Sequence, residues 1–272
     1  MIDRVEKLNR ARLKQQTKVE EDAAPAPGHH PVVGADGINY QQTRTVSVSK
    51  DFLRENRIVC DYDQSNHLSA YKFLRTKVLR VLNANNWNTL GITSPGPEVG
   101  KTVTAINLAI NFAMEISKTA LLVDADLRRP TVHKYLGLPA GGGLSAYLAD
   151  GGPLCELLIH PNIGDLVVLP GGRPLLNSSE MLASPQMTQL VEELKNRYPS
   201  RLVLFDLPPV LAVDDVMAFA PSLDAILMVA EAGKTKKEEL MEACAALENS
   251  TYIIGTVLNK ADHNAQSYPY YY

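Results

Sequence analysis

Cysteine and histidine are scarce in this sequence, and they are not clustered as metal ligands would be. The 272 residues include 3 cysteines and 6 histidines. Cys60, Cys155 and Cys244 are far apart and form no C-x-x-C pair, so neither a zinc site nor a disulfide framework is indicated. We expect these cysteines to be buried thiols in a reducing compartment. His29 and His30 lie in a proline-rich stretch that we interpret as linker.

Long apolar runs and a strong charge imbalance are also absent. No run approaches the roughly 20 apolar residues that span a bilayer. The first 16 residues are charged throughout and lack the apolar segment of a signal peptide. The formal net charge of −3 does not indicate general electrostatic binding to nucleic acid or anionic lipid. These features predict a cytoplasmic protein with no nucleic-acid partner, which reaches a membrane only through another protein.

The composition, with 45% hydrophobic residues, allows one substantial core and some additional chain. We expect residues 1–50 to be an N-terminal extension, with either a short amphipathic helix at 2–16 or a solvated terminus. A flexible linker rich in proline, glycine and alanine follows at 21–37. The core domain is expected at 51–262, and a tyrosine-rich tail at 263–272.

Buried strands are expected to alternate with helices along the core domain. Apolar runs predict strands at 89–93, 119–125, 165–170, 201–207, 225–230 and 252–259. Helical stretches lie at 102–116, 184–198 and 234–249. Strands that are apolar on both faces predict an α/β fold with a mostly parallel sheet flanked by helices. Ligands of such sheets bind beyond the carboxyl ends of the strands.

The stretch SPGPEVGKT, residues 94–102, connects the first of these strands to the first helix. Its last three residues, Gly100, Lys101 and Thr102, match the end of the phosphate-loop pattern G-x-x-x-x-G-K-[ST]. Pro95 replaces the first glycine of that pattern, and Glu98 occupies a position where related loops often carry another. In a left-handed backbone Glu98 would be about 1–2 kcal/mol less favourable than glycine. We expect nucleotide binding to survive, in a weakened form where the Glu98 carboxylate faces the phosphates.

The roles of the loop residues follow from phosphate chemistry. Lys101 is expected to pair with the β- and γ-phosphates, and the Thr102 hydroxyl to bind Mg²⁺. Backbone N–H groups and the helix N-terminus would face the phosphates. The alternative interpretation of this stretch is an ordinary strand-to-helix turn that binds no nucleotide. The nucleotide-binding residues expected are Gly96, Pro97, Glu98, Val99, Gly100, Lys101, Thr102, Val103, Arg128 and Asn259.

Three aspartates lie at the ends of predicted strands. Asp124 and Asp126 are two residues apart, so in an extended backbone both carboxylates share one face. Two carboxylates near a phosphate loop indicate a Mg²⁺ ligand and a base for an incoming hydroxyl. Alternatively, both aspartates belong to an ordinary solvated loop. Asp206 ends the run LVLFD as a second Mg²⁺ motif, while Arg128 and Arg129 could offset the negative charge or contact phosphate. The metal ligands expected are Thr102, Asp124 and Asp206.

Two motifs lie near the end of the chain. Residues 259–262, NKAD, match the guanine-reading N-K-x-D pattern, but Asp206 is followed by Leu-Pro-Pro rather than by the D-x-x-G of a GTPase. We interpret Asn259 as a contact to a base edge without assigning guanine, and Asp262 as solvated. Tyrosines then occupy four of the last five positions and are expected to accept phosphate or, alternatively, to dock on a partner: Tyr268, Tyr270, Tyr271 and Tyr272.

Together these motifs resemble the bacterial tyrosine kinases, or BY-kinases, of exopolysaccharide systems. The resemblance covers roughly residues 65–272. The stretches DLRRPTVHKYLGLP, LPGGRPLLNSSEMLASPQM and LFDLPPVLAVDD resemble especially the subgroup that accompanies exosortase-type loci. The resemblance implies a P-loop kinase domain with Walker A, A-prime and B motifs. It also implies an ATP- and Mg²⁺-dependent autokinase in which Lys101, Asp124 and Asp126 are catalytic.

The family also implies partners. Autophosphorylation in trans within a ring is expected, with a membrane-embedded polysaccharide co-polymerase as activator and a cognate tyrosine phosphatase. The family's interface motif, E-x-x-R-x-x-R, is degenerate here because its key positions are Ser69, Lys72 and Arg75. Lysine is not equivalent to arginine where a bidentate pair is needed. A non-kinase ATPase switch and a structural partner of the polysaccharide machinery, inactivated by Glu98, are the alternatives.

Overall fold

The computed structural model describes residues 43–59, 66–115, 118–197 and 201–261. Several sequence predictions lie outside these residues, and they stay predictions. They concern the helix at 2–16, the linker at 21–37, Cys60, Asp262 and the four tail tyrosines. The expected domain limits at 50 and 262 likewise stay predictions, although a short strand already joins the sheet at residues 44 and 45.

Eight strands form one sheet within the described residues. They are β1 (Arg44–Thr45), β2 (Thr89–Thr93), β3 (Thr119–Asp124), β4 (Ile159–His160), β5 (Leu166–Leu169), β6 (Arg201–Asp206), β7 (Ala225–Glu231) and β8 (Tyr252–Asn259). The strand order is β1-β4-β5-β3-β6-β2-β7-β8. Every neighbouring pair is parallel except β4 with β5. The predicted mostly parallel sheet is therefore confirmed, and the sequence analysis missed only the two-residue strands β1 and β4.

Nine α-helices accompany the sheet in the described part of the chain. They are α1 (Lys50–Glu55), α2 (Asn66–Asn85), α3 (Lys101–Ala113), α4 (Val132–Tyr135), α5 (Leu144–Asp150), α6 (Ser178–Leu182), α7 (Pro185–Arg197), α8 (Asp215–Phe219) and α9 (Lys237–Leu247). The three predicted helices correspond to α3, α7 and α9. Helix α9 starts three residues later than predicted, and the N–H of its N-cap residue Lys236 donates to the Glu239 carboxylate at 3.4 Å.

Two apolar cores cover the two faces of the sheet. In β6, Leu202 and Leu204 join a core that includes α2 and α3, whereas Val203 and Phe205 join a core that includes α7 and α8. The Phe205 ring packs edge-on against Phe219 at 5.2 Å between centroids. Because both faces are buried, the central strands carry no polar alternation in sequence. This burial explains why continuous apolar runs predicted the strands.

The described residues bear on two expectations, namely the absence of a membrane-spanning segment and the burial of the cysteines. None of their helices combines the length and apolarity needed to cross a membrane. Cys155 and Cys244 are free thiols, but they are half-buried rather than fully buried as expected. No group of three or more His, Cys, Asp or Glu side chains within the described ranges is arranged to hold a metal ion by itself.

Asp224 fastens the amino-terminal ends of the central strands. Its Oδ2 accepts hydrogen bonds from the Asn88 and Thr89 backbone N–H groups, each at 3.0 Å, and from the Thr89 hydroxyl at 2.8 Å. Its Oδ1 accepts a hydrogen bond from Lys195 Nζ in α7 at 2.6 Å. Burial alone would raise the pKa of Asp224, but these donors, Lys195 first among them, lower it below 3.8. One carboxylate thus connects β2, β7 and α7.

We expect Asp224→Ala to lower the free energy of unfolding by about 2 kcal/mol at neutral pH, since charge-assisted hydrogen bonds are lost. The folded-state pKa lies below the ordinary value of 3.8, so this contribution is complete above that pH. It disappears as the pH falls through the folded pKa. Urea unfolding at pH 7 and pH 3 measures the difference, with exposed Asp150→Ala as control. A loss that is the same at both pH values would contradict this reading.

Candidate active site

The loop at 94–102 is supported from within and from the chain that follows β6. The Ser94 hydroxyl donates to the Gly96 carbonyl at 2.7 Å. The backbone N–H groups of Val210 and Leu211 donate to the Ser94 and Pro95 carbonyls at 2.8 and 3.2 Å. The loop therefore has a defined path between β2 and α3.

Two loop residues have positive φ angles. Glu98 has φ 62° and Gly100 has φ 92°, both in the left-handed region. Glycine adopts this region without penalty, but Glu98 carries a Cβ that makes it unfavourable. The Glu98 side chain is exposed. The backbone strain considered in the sequence analysis is therefore present, while the exposed carboxylate can remain in water.

Lys101 begins α3 and lies among aspartates. Its Nζ donates to Asp126 Oδ2 at 2.8 Å, lies 3.7 Å from Asp206 Oδ1 and is 3.5 Å from the Thr102 hydroxyl. Burial opposes the charge on this ammonium, but the carboxylates of Asp206 and Asp126 outweigh it and raise the pKa of Lys101. The lysine is therefore a buried cation held by carboxylates at the start of the helix.

Asp124 lies at the end of β3, next to Asp206 at the end of β6 in the strand register. Its Oδ2 accepts the Thr131 and Val132 backbone N–H groups at 2.9 and 3.0 Å. Burial, followed by the neighbouring charge of Asp206, raises the pKa of Asp124 to about 8. Burial also raises the pKa of Asp206, against the opposing charge of Lys101. The parallel register has thus brought two of the predicted aspartates side by side.

The oxygen atoms of this cluster fit Mg²⁺. Within the described residues, Asp124 Oδ1 and both carboxylate oxygens of Asp206 are buried without a hydrogen-bond partner. Buried carboxylate oxygens without donors favour a cation, and hard oxygen ligands are those that Mg²⁺ prefers. Thr102, whose hydroxyl lies beside Lys101 Nζ, completes the expected set of ligands.

Arg128 contacts carboxylates outside the set that the sequence analysis considered, while its expected contact to phosphate stays a prediction. Its guanidinium donates from Nε to Asp215 Oδ1 at 2.9 Å, and its Nη2 lies 2.9 Å from the same oxygen and 3.3 Å from Asp214 Oδ1. Asp215 is fully buried at the start of α8. Arg128 therefore offsets the charge of the Asp214–Asp215 pair rather than that of Asp124 or Asp126. The exposed Arg129 contributes its backbone N–H to Asp126 Oδ1 at 3.1 Å.

A cavity of about 730 Å³ opens in front of the loop. It is large enough for a nucleotide-sized ligand. Its lining includes the expected residues Pro97, Glu98, Gly100, Lys101, Thr102, Val103, Asp126 and Arg128, and not Gly96, Val99, Asp124, Asp206 or Asn259. Sequence reasoning missed Glu55 at the end of α1 and the turn Asn56–Arg57 that follows it, together with Tyr135, Pro209 and Lys260. The turn belongs to no motif, so no sequence signal connected it with the loop.

Asn259 lies behind the loop at the end of β8. Its Nδ2 donates to the Val99 carbonyl at 2.8 Å. A Cβ added at Gly100 would overlap this amide nitrogen. Asn259 therefore contacts the loop backbone, and the expected contact to a base edge stays a prediction.

The interface motif lies on α2. Arg75 contacts Glu115 through Nε at 3.0 Å and donates to the Asn111 carbonyl at 3.2 Å. Ser69 and Lys72 are exposed. The one arginine that matches the family motif is therefore engaged within its own chain.

The parallel sheet, the strand-to-helix loop and the carboxylates at the strand ends define the class of P-loop ATPase-like folds. Comparison of structures agrees with this class. The septum site-determining protein MinD of Pyrococcus horikoshii, complexed with Mg-ADP, matches with a TM-score of 0.54 and 22% identity, over 63% of this chain and 69% of that one. At this identity the likeness concerns the fold alone.

Sequence comparison identifies the family. No protein-family model matches the sequence. Tyrosine-protein kinase YwqD of Bacillus subtilis is 33% identical over 221 residues, covering 80% of this chain and 92% of the relative. The kinase domain of Escherichia coli tyrosine kinase ETK matches with a TM-score of 0.70 and 30% identity, over 84% and 94% of the two chains. The chain belongs to the bacterial tyrosine kinases.

Some relatives are much longer than this chain. Tyrosine-protein kinase wzc of Salmonella typhimurium is 33% identical over 209 residues, which are 75% of this chain but only 28% of the relative. The match to the exosortase-associated subgroup stays a prediction.

We expect the Glu98→Gly variant to be more stable than the Glu98→Ala variant by about 1 kcal/mol. Both variants remove the carboxylate, but only alanine keeps a Cβ in the left-handed region. Urea unfolding measures the difference. Glu98→Gly should also raise nucleotide affinity, and any gain that comes from the lost charge alone should appear in both variants. Equal stability of the two variants would show that position 98 is unstrained.

Proposed function

We propose that this chain is an ATP- and Mg²⁺-dependent protein-tyrosine autokinase. Its substrate would be the tail of another copy, at Tyr268, Tyr270, Tyr271 and Tyr272. The observation that carries the proposal is the cluster in which Lys101, Asp126 and Asp206 meet beside the phosphate loop. Membership of the bacterial tyrosine kinases supports the reaction class.

The roles of the residues follow from their contacts. ATP phosphates would replace Asp126 as the partner of Lys101, because a multiply charged phosphate attracts the ammonium more strongly than one carboxylate does. Thr102, Asp124 and Asp206 would hold Mg²⁺, which neutralises charge on the phosphates when bound. Gly96, Val99 and Val103 would contribute to the loop around the nucleotide.

Asp126 is the better candidate for the base. It lines the cavity, whereas Asp124 is fully buried and bonded to the backbone of Thr131 and Val132. Once released from Lys101, the Asp126 carboxylate can accept the phenolic proton. The tyrosine oxygen then forms a bond to the γ-phosphorus while the bond between that phosphorus and the β–γ bridging oxygen breaks, and ADP leaves.

The proposal includes partners that regulate exopolysaccharide synthesis and export. They are a membrane-embedded co-polymerase that activates the kinase at the inner face of the membrane, and a phosphatase that resets the tail. The greater length of some relatives is consistent with a kinase domain that works beside additional chain. Ring assembly through α2 would require Arg75 to exchange its contact with Glu115 for one with another copy.

We expect Lys101→Met to reduce phosphotyrosine formation by at least about 100-fold, the scale of losing one preorganised charge contact in a transition state. Purified protein with labelled ATP and Mg²⁺, followed by mapping of phosphotyrosine, gives the measurement. Lys237→Met, at an exposed position in α9, serves as control. Unchanged labelling of a folded Lys101→Met protein would refute the assignment. ATP binding by wild type without labelling would favour a switch or an inactive structural partner.

We expect phosphorylation of the tail to weaken self-association. Each phosphotyrosine adds about −1.5 to −2 charges at neutral pH, and the receiving site already holds Asp124, Asp126 and Asp206. Light scattering compares wild type after ATP treatment with Lys101→Met, which should retain the larger mass. Equal masses, with the unphosphorylated protein monomeric at every concentration, would contradict control by the tail.

A further inference from the structure

The end of β8 is bonded to the phosphate loop through two consecutive residues. The Asn259 amide donates to the Val99 carbonyl at 2.8 Å, and Lys260 Nζ donates to the Glu98 carbonyl at 2.7 Å. Two successive peptide groups of the loop are therefore held by two successive side chains. Lys260 itself has φ 57°, in the left-handed region that is unfavourable for a residue with a Cβ.

Holding these carbonyls also orients the N–H groups of the same peptides. In a trans peptide the N–H points opposite to the C=O of the preceding residue, and no described peptide is cis. The N–H groups of Val99 and Gly100 are consequently directed away from Lys260 and Asn259. Successive N–H groups beside a left-handed residue form a concave anion site, and Glu98 supplies that residue.

Glu231 orients the Lys260 ammonium. It ends β7 opposite Asn259 in the strand register, and its Oε2 lies 3.0 Å from Lys260 Nζ. The hydrogen bond from Lys260 is the main reason why the pKa of Glu231 lies below its usual range. Lys234 lies 3.5 Å from the same carboxylate oxygen, but its side chain is 61% exposed. Within the described residues, Lys234 is thus a second partner of Glu231 that forms no hydrogen bond with the loop.

We propose that Lys260 is a positioning residue of the phosphate loop. Its ammonium, oriented by Glu231, holds the Glu98 carbonyl so that the loop N–H groups are available to nucleotide phosphates. This inference rests on the proposed nucleotide binding. It gives the lysine of the NKAD stretch a role that requires no guanine.

The test compares Lys260→Met with Lys260→Arg and with the control Lys234→Met. Affinities for Mg-ATP and for adenosine are measured by calorimetry. Lys260→Met should bind Mg-ATP roughly tenfold more weakly, the scale of one charge-assisted hydrogen bond, with adenosine affinity unchanged. Lys260→Arg should restore part of the affinity, and Lys234→Met should match wild type. An equal loss for Mg-ATP and adenosine would indicate general disruption and overturn the inference.

Glu231→Gln distinguishes positioning from direct contact with phosphate. Positioning requires the carboxylate, so this variant should also bind Mg-ATP more weakly, with no further loss when combined with Lys260→Met. Direct contact predicts equal or tighter binding, because the ammonium is released toward the phosphates. If Lys260→Met does not fold, Lys260→Arg and Glu231→Gln carry the test. Variants that bind like wild type would overturn this inference alone, whereas absence of binding by wild type would overturn the proposed function too.

Discussion

One buried ammonium holds together the carboxyl ends of the central strands. Lys101 contacts Asp126 and Asp206, while Asp124 lies next to Asp206 in the register of β3 and β6. Three carboxylates and one cation leave a surplus of negative charge in a low-dielectric space. Burial, followed by the neighbouring charge of Asp206, raises the pKa of Asp124 to about 8, and a protonated Asp124 reduces that surplus. In the proposed function a divalent cation would reduce it further, held by the buried carboxylate oxygens that have no hydrogen-bond donor in the described residues.

The loop at 94–102 depends on parts of the chain that are distant in sequence. The segment after β6 bonds to its first residues, and the end of β8 bonds to its middle. In the strand order, β6 is adjacent to β2, whereas β8 lies two strands away, beyond β7. A strained residue such as Glu98 persists in this setting because the surrounding bonds over-determine its conformation.

The sequence was most informative where a pattern has one physical cause. Strands β2, β3, β5, β6 and β7 were predictable because they are buried on both faces, whereas β8, at the edge of the sheet, is partly exposed and was predictable from its apolar run alone. Asp124, Asp126 and Asp206 were predictable because carboxyl ends of parallel strands converge, and Lys101 because it belongs to the loop pattern. Strands β1 and β4 have two residues each, too few for any periodicity. The partner of Arg128 lies 87 positions away, and the roles of Lys260 and Glu231 depend on register. Such long-range contacts leave no local signal.

The close packing of Gly100 against Asn259 limits which substitutions the loop can accept. Space at position 100 is already filled by the amide that supports the loop. A larger residue there would displace that amide from the Val99 carbonyl, and at φ 92° its backbone would also be strained. The two positions, 159 residues apart in the chain, are therefore coupled, because a substitution at 100 would also remove the support that the side chain at 259 gives to the loop.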